Sequence, residues 1–302
     1  MSGSTPPASG RVVVGVDGSQ ESTAALGWAA DEAARRGCGL HVVYAFLWPL
    51  TGMYLGPSPE GPPEGGLANS AKTLLGDSAR QARETHPELD VTTELVVAAP
   101  APVLVERSRT AALVVVGCRG LGAFAGRLLG SVSAQVAEHA HCPVVVVRGR
   151  EAADRQQVVV GSDGSACARA AVGFAFEEAS LRQWGLLVVH AWAPPAVPGG
   201  RADRPRPGDV EAIETAGARL LAETLAEWED KYPDVQVQRR VLQTNPAKAL
   251  VAESATAGLV VVGSRGRGGF AGLLLGSTSR VVLHHASCPV AVVHANGRAE
   301  KG

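Results

Sequence analysis

GCRGLGAFAGRLLGS, from Gly117 to Ser131, returns as GSRGRGGFAGLLLGS, from Gly263 to Ser277. The two segments lie 146 residues apart (263 less 117), and the same step carries other landmarks onto each other. VVVGVDGS (Val12 to Ser19) maps onto VVVGSDGS (Val158 to Ser165), and Cys142-Pro143-Val144 onto Cys288-Pro289-Val290. The chain is therefore two copies of one unit, each of ordinary domain size. Residues 11–148 and 157–295 read as the domains, 149–156 as a polar linker, and 1–10 and 296–302 as tails.

Each copy is read in the same way. Valine runs with apolar residues on both faces, such as Arg11 to Val16 and Leu113 to Val116, predict fully buried strands. Leu40 to Phe46, Val91 to Val97 and Pro143 to Val147 complete the strand set. Between them lie helical patterns. Ser19 caps the first, which carries Ala25, Trp28, Ala29 and Ala33 on one face and stops at Gly37. Leu67 to Glu84 reads as a helix, Pro100 to Thr110 as one opened by proline, and Ser131 as the cap of the last. Trp48 to Gly66 and Ala193 to Asp209 are too rich in Pro and Gly to be regular. Strands alternating with helices predict an α/β fold, an open parallel sheet in each half with helices on both faces and right-handed crossovers.

Composition narrows the function. Of 302 residues, 46% are hydrophobic and only 4% aromatic, so the cores are built from small and branched aliphatics. The formal net charge of −1 argues against nucleic acid as a partner. No apolar run approaches the ~20 residues of a membrane span, and the first residues lack the pattern of a secretory signal. Five cysteines without a CxxC pair suit a reducing cytoplasm better than a disulfide framework.

The chemistry should lie beyond the carboxyl ends of the strands, where the strand order reverses. Two loops per copy meet that condition. One holds Gly15 and Asp17, repeated as Gly161 and Asp163. The other runs from Gly117, through Cys118, Arg119, Gly120, Leu121, Gly122 and Arg127, to Gly130 and Ser131. Its second version holds Gly263, Ser264, Arg265, Gly266, Arg267, Gly268, Gly276 and Ser277. Glycines at these places are expected to take positive φ and let main-chain N–H groups approach a ligand. The following helix, with Val132 and Ser133 or Thr278 and Ser279 in its first turn, adds unpaired N–H groups and hydroxyls that favour an anion. One such loop can be a mere turn; two, each after a buried strand and beside an aspartate, point to phosphate. A Walker A loop is excluded because no lysine precedes Ser131. Gly120-x-Gly122-x-x-Ala125 imitates a dinucleotide fingerprint but follows the wrong strand and does not open directly into a helix.

The spacing G-2x-G-9x-G-S, the first-strand aspartates and the Cys-Pro pair resemble the universal stress protein family, in its ATP-binding, tandem-domain form. The Ala, Gly, Arg and Val bias resembles that of high-GC actinobacterial proteins. The resemblance covers nearly the whole chain. It implies strand order 3-2-1-4-5 and an ATP in each half, with Mg²⁺ at its phosphates. It places the adenine against Ala45 and Val116, and against Ala191 and Val262. It sets Asp17 and Asp163 near the ribose or the metal. It also implies pairing through the last strand, made internally as a pseudo-dimer, with a homodimer as a further possibility. The implied role is a nucleotide-dependent regulator of stress or dormancy; the alternatives are a slow ATP hydrolase or phosphotransfer enzyme, and a scaffold without nucleotide.

Other residues carry weaker signals. Asp17 reads equally as a metal ligand, a general base or a turn-forming aspartate. No second carboxylate or histidine is tied to it by motif, so no dedicated enzyme is expected and any hydrolysis should be slow. His139, His141 and Cys142 read as residues suited to a helix C-terminus rather than zinc ligands, since His284, His285 and Cys288 repeat them with different spacing. Trp28, Trp184, Trp192 and Trp228 read as packing residues.

Overall fold

The computed structural model describes residues 10–46, 67–120, 129–148, 155–193, 207–267 and 274–295. The N-terminal tail up to residue 9, the segment 47–66, most of the linker, most of the second insert and the C-terminal tail lie outside the described residues. So do Leu121, Gly122, Arg127 and Gly268. The chain divides into two compact units, Met1–Arg148 and Gly149–Gly302.

Unit 1 contains β1 (Val12–Gly15), α1 (Gln20–Arg36), β2 (Leu40–Phe46), α2 (Leu67–Thr85) and β3 (Val91–Val97). It continues with α3 (Pro100–Arg107), β4 (Leu113–Gly117), α4 (Ser131–His139) and β5 (Val144–Val147). Its sheet runs β3-β2-β1-β4-β5, with β1 parallel to both β2 and β4. Unit 2 repeats the plan with β6 (Gln157–Gly161), α5 (Ala166–Arg182), β7 (Gly185–Trp192), α6 (Pro207–Lys231) and β8 (Val237–Gln243). Then come α7 (Pro246–Glu253), β9 (Leu259–Gly263), α8 (Ser277–His285) and β10 (Val290–Val293). Its order is β8-β7-β6-β9-β10. Each unit is thus an open parallel five-stranded sheet in the order 3-2-1-4-5.

The central strands are buried on both faces, as the valine runs require. Val12, Val14, Val114, Val115, Val158, Val160 and Val261 are wholly enclosed. In unit 1, α1 packs with α2, and α3 packs with α4. Helix α1 begins where Ser19 accepts the Ser22 N–H at 3.1 Å and stops at Gly37, whose φ of 61° is left-handed. Helix α5 stops in the same conformation, with φ 55°, at Gln183, a residue without glycine's freedom. Helix α3 is shorter than Pro100–Thr110: Arg109 and Thr110 donate to carbonyls three residues back, and that tight last turn ends it. Pro207 to Asp209 belong to α6 rather than to the irregular insert.

A buried ion pair holds the same place in both first helices. Glu32 with Arg36, and Glu178 with Arg182, join successive turns, and both carboxylates are fully enclosed. Removing one partner of such a pair costs about 3–5 kcal/mol because the other charge stays buried. The pairs further out are conserved in place but reversed in sign. Arg107 on α3 grips Glu94 on β3 with Nε and Nη2 at 2.8 and 2.6 Å. In unit 2 the same positions hold Glu253 and Arg240, 2.8 Å apart.

The Arg107 hydrogen bonds pull the Glu94 carboxyl from its ordinary 4.5 down to about 2, burial opposes them, and His41 helps. A depressed carboxyl contributes stability that is whole above the unfolded value and disappears as pH falls through the folded one. Glu94→Gln should therefore cost unit 1 about 1 kcal/mol near neutrality, allowing for solvent screening of the half-exposed arginine. The difference should shrink between pH 4.5 and about 2 in urea unfolding. A variant equal to wild type at pH 7 would contradict this.

Candidate functional site

In this topology the carboxyl ends of the strands and the starts of the helices share one edge, and the order reverses between β1 and β4 and between β6 and β9. A cavity of about 220 Å³ opens there in unit 1, and one of about 440 Å³ in unit 2. The loop after the first strand and the glycine-rich loop face each other across each cavity.

Each aspartate anchors its own loop, and in unit 2 it also joins that loop to the opposite one. Asp17 Oδ1 accepts from the Ser19 N–H at 3.0 Å and the Ser19 hydroxyl at 2.6 Å, an Asx turn. Asp163 Oδ1 accepts from the Ser165 N–H at 2.9 Å, and its Oδ2 accepts from the Arg267 N–H of the opposite loop at 2.9 Å. Burial pushes the Asp163 carboxyl up. The Ser165 hydroxyl and N–H, the Arg267 N–H and the Arg267 charge together outweigh burial and hold it below its usual range.

The glycines serve these aspartates. A Cβ on Gly266 would stand 2.5 Å from Asp163 Oδ2, and one on Gly120 would strike Asp17 Oδ2. A Cβ on Gly117 would come within 2.8 Å of the Glu21 backbone, and one on Gly263 within 2.8 Å of the Cys167 backbone. The expected positive φ at Gly117 and Gly120 is not what the structure has. Among the described glycines, positive φ occurs at Gly10, Gly18, Gly37 and Gly164, so the loop after the first strand carries that conformation. Gly117, Gly120, Gly263 and Gly266 are needed for close approach instead.

A second correction concerns the helix starts. Gly130, extended at φ −72° and ψ 154°, is the N-cap of α4, and Ser131 is its first helical residue. Gly276 and Ser277 repeat this at α8. Neither helix has a side-chain cap, whereas α1 and α5 are both capped by serine. The first N–H groups of α4 and α8 thus open on the cavities with the positive end of the helix dipole. The Ser133 and Ser279 hydroxyls do not point to a ligand as donors. Each gives its hydrogen at 2.6 Å to the carbonyl that ends the preceding strand, of Gly117 and Gly263. They fix the helix starts in place, and Ser131 and Ser277 keep the exposed hydroxyls.

The cavities bring together most of the residues expected from the sequence. In unit 1 these are Gly15, Asp17, Ala45, Val116, Gly117, Arg119, Gly120, Gly130, Ser131, Val132 and Ser133. In unit 2 they are Gly161, Asp163, Ala191, Val262, Gly263, Arg265, Gly266, Arg267, Gly276, Ser277, Thr278 and Ser279. Cys118 and Ser264 do not line them; both are buried at the strand ends, where their carbonyls accept the Gly130 and Gly276 N–H groups at 2.8 and 2.7 Å. Not anticipated were Pro100 and Leu104 of α3 and Pro246 and Leu250 of α7, which supply an apolar wall. Gly15 and Gly161 seat those leucines, since a Cβ on either would lie 2.8 Å from Leu104 or Leu250 Cδ1. The available signal was the proline opening each helix, because every such helix starts on the ligand edge of the sheet.

His139 Nδ1 lies 2.9 Å from the Gln135 carbonyl in the last turn of α4, and burial pushes the Cys142 thiol up to about 12. Among the described residues no group of three or more His, Cys, Asp and Glu can hold a metal ion. Also among them, no helix is long and apolar enough to cross a membrane. Trp28 is a core residue, and Trp228 stacks with Phe176 and Tyr232.

The chain belongs to the universal stress protein family, whose model matches residues 9–148 and 154–294. A universal stress protein of Mycobacterium tuberculosis is 43% identical over 296 residues, covering 93% of this chain and 96% of the relative. One from Mycolicibacterium smegmatis is 41% identical over 293 residues, with 93% and 96% covered. The crystal structure of a universal stress protein from Archaeoglobus fulgidus superposes with a TM-score of 0.65 at 21% identity, over 95% of this chain and 96% of that one. It shares the fold.

Gly266→Ala should cost about 1–3 kcal/mol in urea unfolding, because its Cβ displaces a hydrogen-bonded carboxylate. Gly76→Ala, in open space on α2, is the control and should be neutral or slightly stabilising. Equal behaviour of the two variants would contradict the close approach.

Proposed function

We propose that each unit binds one molecule of ATP, with Mg²⁺ carried on its phosphates, and that occupancy regulates a stress or dormancy response. The carrying observation is the pair of uncapped helix starts, each opening with a glycine-rich loop onto a cavity whose other end is apolar. Uncapped N–H groups with a helix dipole behind them suit phosphate oxygens. The apolar end, with Ala45, Val116 and Leu104 or Ala191, Val262 and Leu250, suits a base. Asp17 and Asp163 would hold the ribose or the metal. One carboxylate per unit fits Mg²⁺, which keeps waters and phosphate oxygens as most of its ligands.

The protein is a binder rather than a dedicated enzyme in this reading. Asp17 and Asp163 are the only carboxylates among the described residues lining the two cavities, and each accepts hydrogen bonds from its own loop. Neither faces a second acid or base to share proton transfer, so turnover would be slow.

Titration calorimetry of the full chain with Mg-ATP should give saturable heat with two nucleotides per chain. At a hundredfold excess over Kd the gain is about 2.7 kcal/mol, a rise in Tm of several degrees. No heat and no thermal shift at millimolar ATP would overturn the proposal. Steady release of ADP or AMP, lost in Asp17→Ala with Asp163→Ala, would favour the hydrolase instead.

A further inference from the structure

The two cavities differ at the residue between the first-strand glycine and the aspartate. Unit 1 has Val16 there and unit 2 has Ser162. Both line their cavities, both are buried (7% and 4% exposed), and both tie their main chain to the neighbouring strand. The Val16 N–H donates to the Val43 carbonyl at 3.0 Å, and the Ser162 N–H to the Val189 carbonyl at 2.9 Å. The Ser162 carbonyl also meets His190 Nδ1 at 2.8 Å. The Ser162 hydroxyl, however, has no hydrogen-bond partner among the described residues. An enclosed hydroxyl without a partner is costly, and a valine of nearly the same shape, which unit 1 uses, would avoid that cost. Ser162 shares the cavity wall with Asp163, Val189, Ala191 and Leu250.

The charges at the two mouths differ in the same sense. In unit 1, Arg119 of the glycine loop is paired with Glu21 at 2.7 Å. In unit 2, Cys167 replaces Glu21, and Arg265 has no carboxylate partner among the described residues. Arg267 stands where unit 1 has Leu121, and Leu273 where unit 1 has Arg127, so each glycine loop carries two arginines at different places. A mouth whose first loop arginine has no carboxylate partner attracts phosphate more strongly than one where that arginine is neutralised.

We infer that Ser162 is a nucleoside-recognising residue, and that it makes unit 2 the tighter of two unequal nucleotide sites. The inference rests on the nucleotide reading above. The bound nucleoside supplies the partner that the hydroxyl lacks, and the Arg265 and Arg267 charges hold the phosphates beside it.

The test is titration of Mg-ATP into the full chain and into Ser162→Val, with thermal melts of both without nucleotide. Wild type should show two classes of site. In Ser162→Val the tighter class should weaken about five- to tenfold, one hydrogen bond's worth, while the weaker class stays put. The nucleotide-free variant should melt about 2–4 °C higher, because the orphaned hydroxyl is gone. Stability and binding moving in opposite directions is a signature that a purely structural serine does not give. Ser162→Ala repeats the binding test with a smaller side chain. Two equal sites in wild type, or a tight class unchanged by both variants, would overturn the inference and leave nucleotide binding standing. A wild-type chain that takes up no ATP would overturn both, and shows itself in the first titration.

Discussion

Helices α4 and α8 begin without a side-chain cap, and the rest of the site is arranged around that omission. Serines close the first turns of α1 and α5, but glycines stand at the starts of α4 and α8 and leave the main-chain N–H groups open. The N–H groups of an open helix start are satisfied by water or by a ligand. Here Ser133 and Ser279 fasten the first turn to the preceding strand, and the Gly130 and Gly276 N–H groups fold back onto the same strand end. The donors are held still before any ligand arrives. Preorganisation of this kind lowers the ordering cost of binding.

Duplication has preserved the scaffold and released the site. The enclosed Glu-Arg pair of the first helix stands unchanged in both units, since losing one member would strand a buried charge. The β3–α3 bridge kept its attraction while exchanging its signs, Glu94 with Arg107 against Arg240 with Glu253. At the cavities no such restraint operates. Glu21 became Cys167, Leu121 became Arg267 and Val16 became Ser162, in whichever direction divergence ran. Each exchange changes the charge or the hydrogen-bonding capacity of a residue in or beside the two loops.

The strands and their order were legible because their causes are local. Valine on both faces identifies a covered parallel strand, and Ser19 before an amphipathic run identifies a helix start. The site was legible in outline for the same reason, as glycine spacing repeats visibly. What escaped were demands set by distant residues. Gly120 and Gly266 are glycines because of aspartates about a hundred residues earlier on the opposite loop, not because of their own dihedral angles. Ser131 looks like a cap from its neighbours, yet Gly130 holds the extended conformation that defines one. Leu104 and Leu250 enter the cavity from a neighbouring crossover, and the proline that opens each helix is the mark they leave in the sequence.

The central claim is that the uncapped starts of α4 and α8 receive polyphosphate. A crystal structure grown with Mg²⁺ and a non-hydrolysable ATP analogue tests it most directly. The account predicts phosphate oxygens within hydrogen-bond distance of the N–H groups of residues 131–133 and 277–279, with the base against the apolar wall. Cavities left empty at saturating analogue, or phosphates bound away from both helix starts, would contradict it.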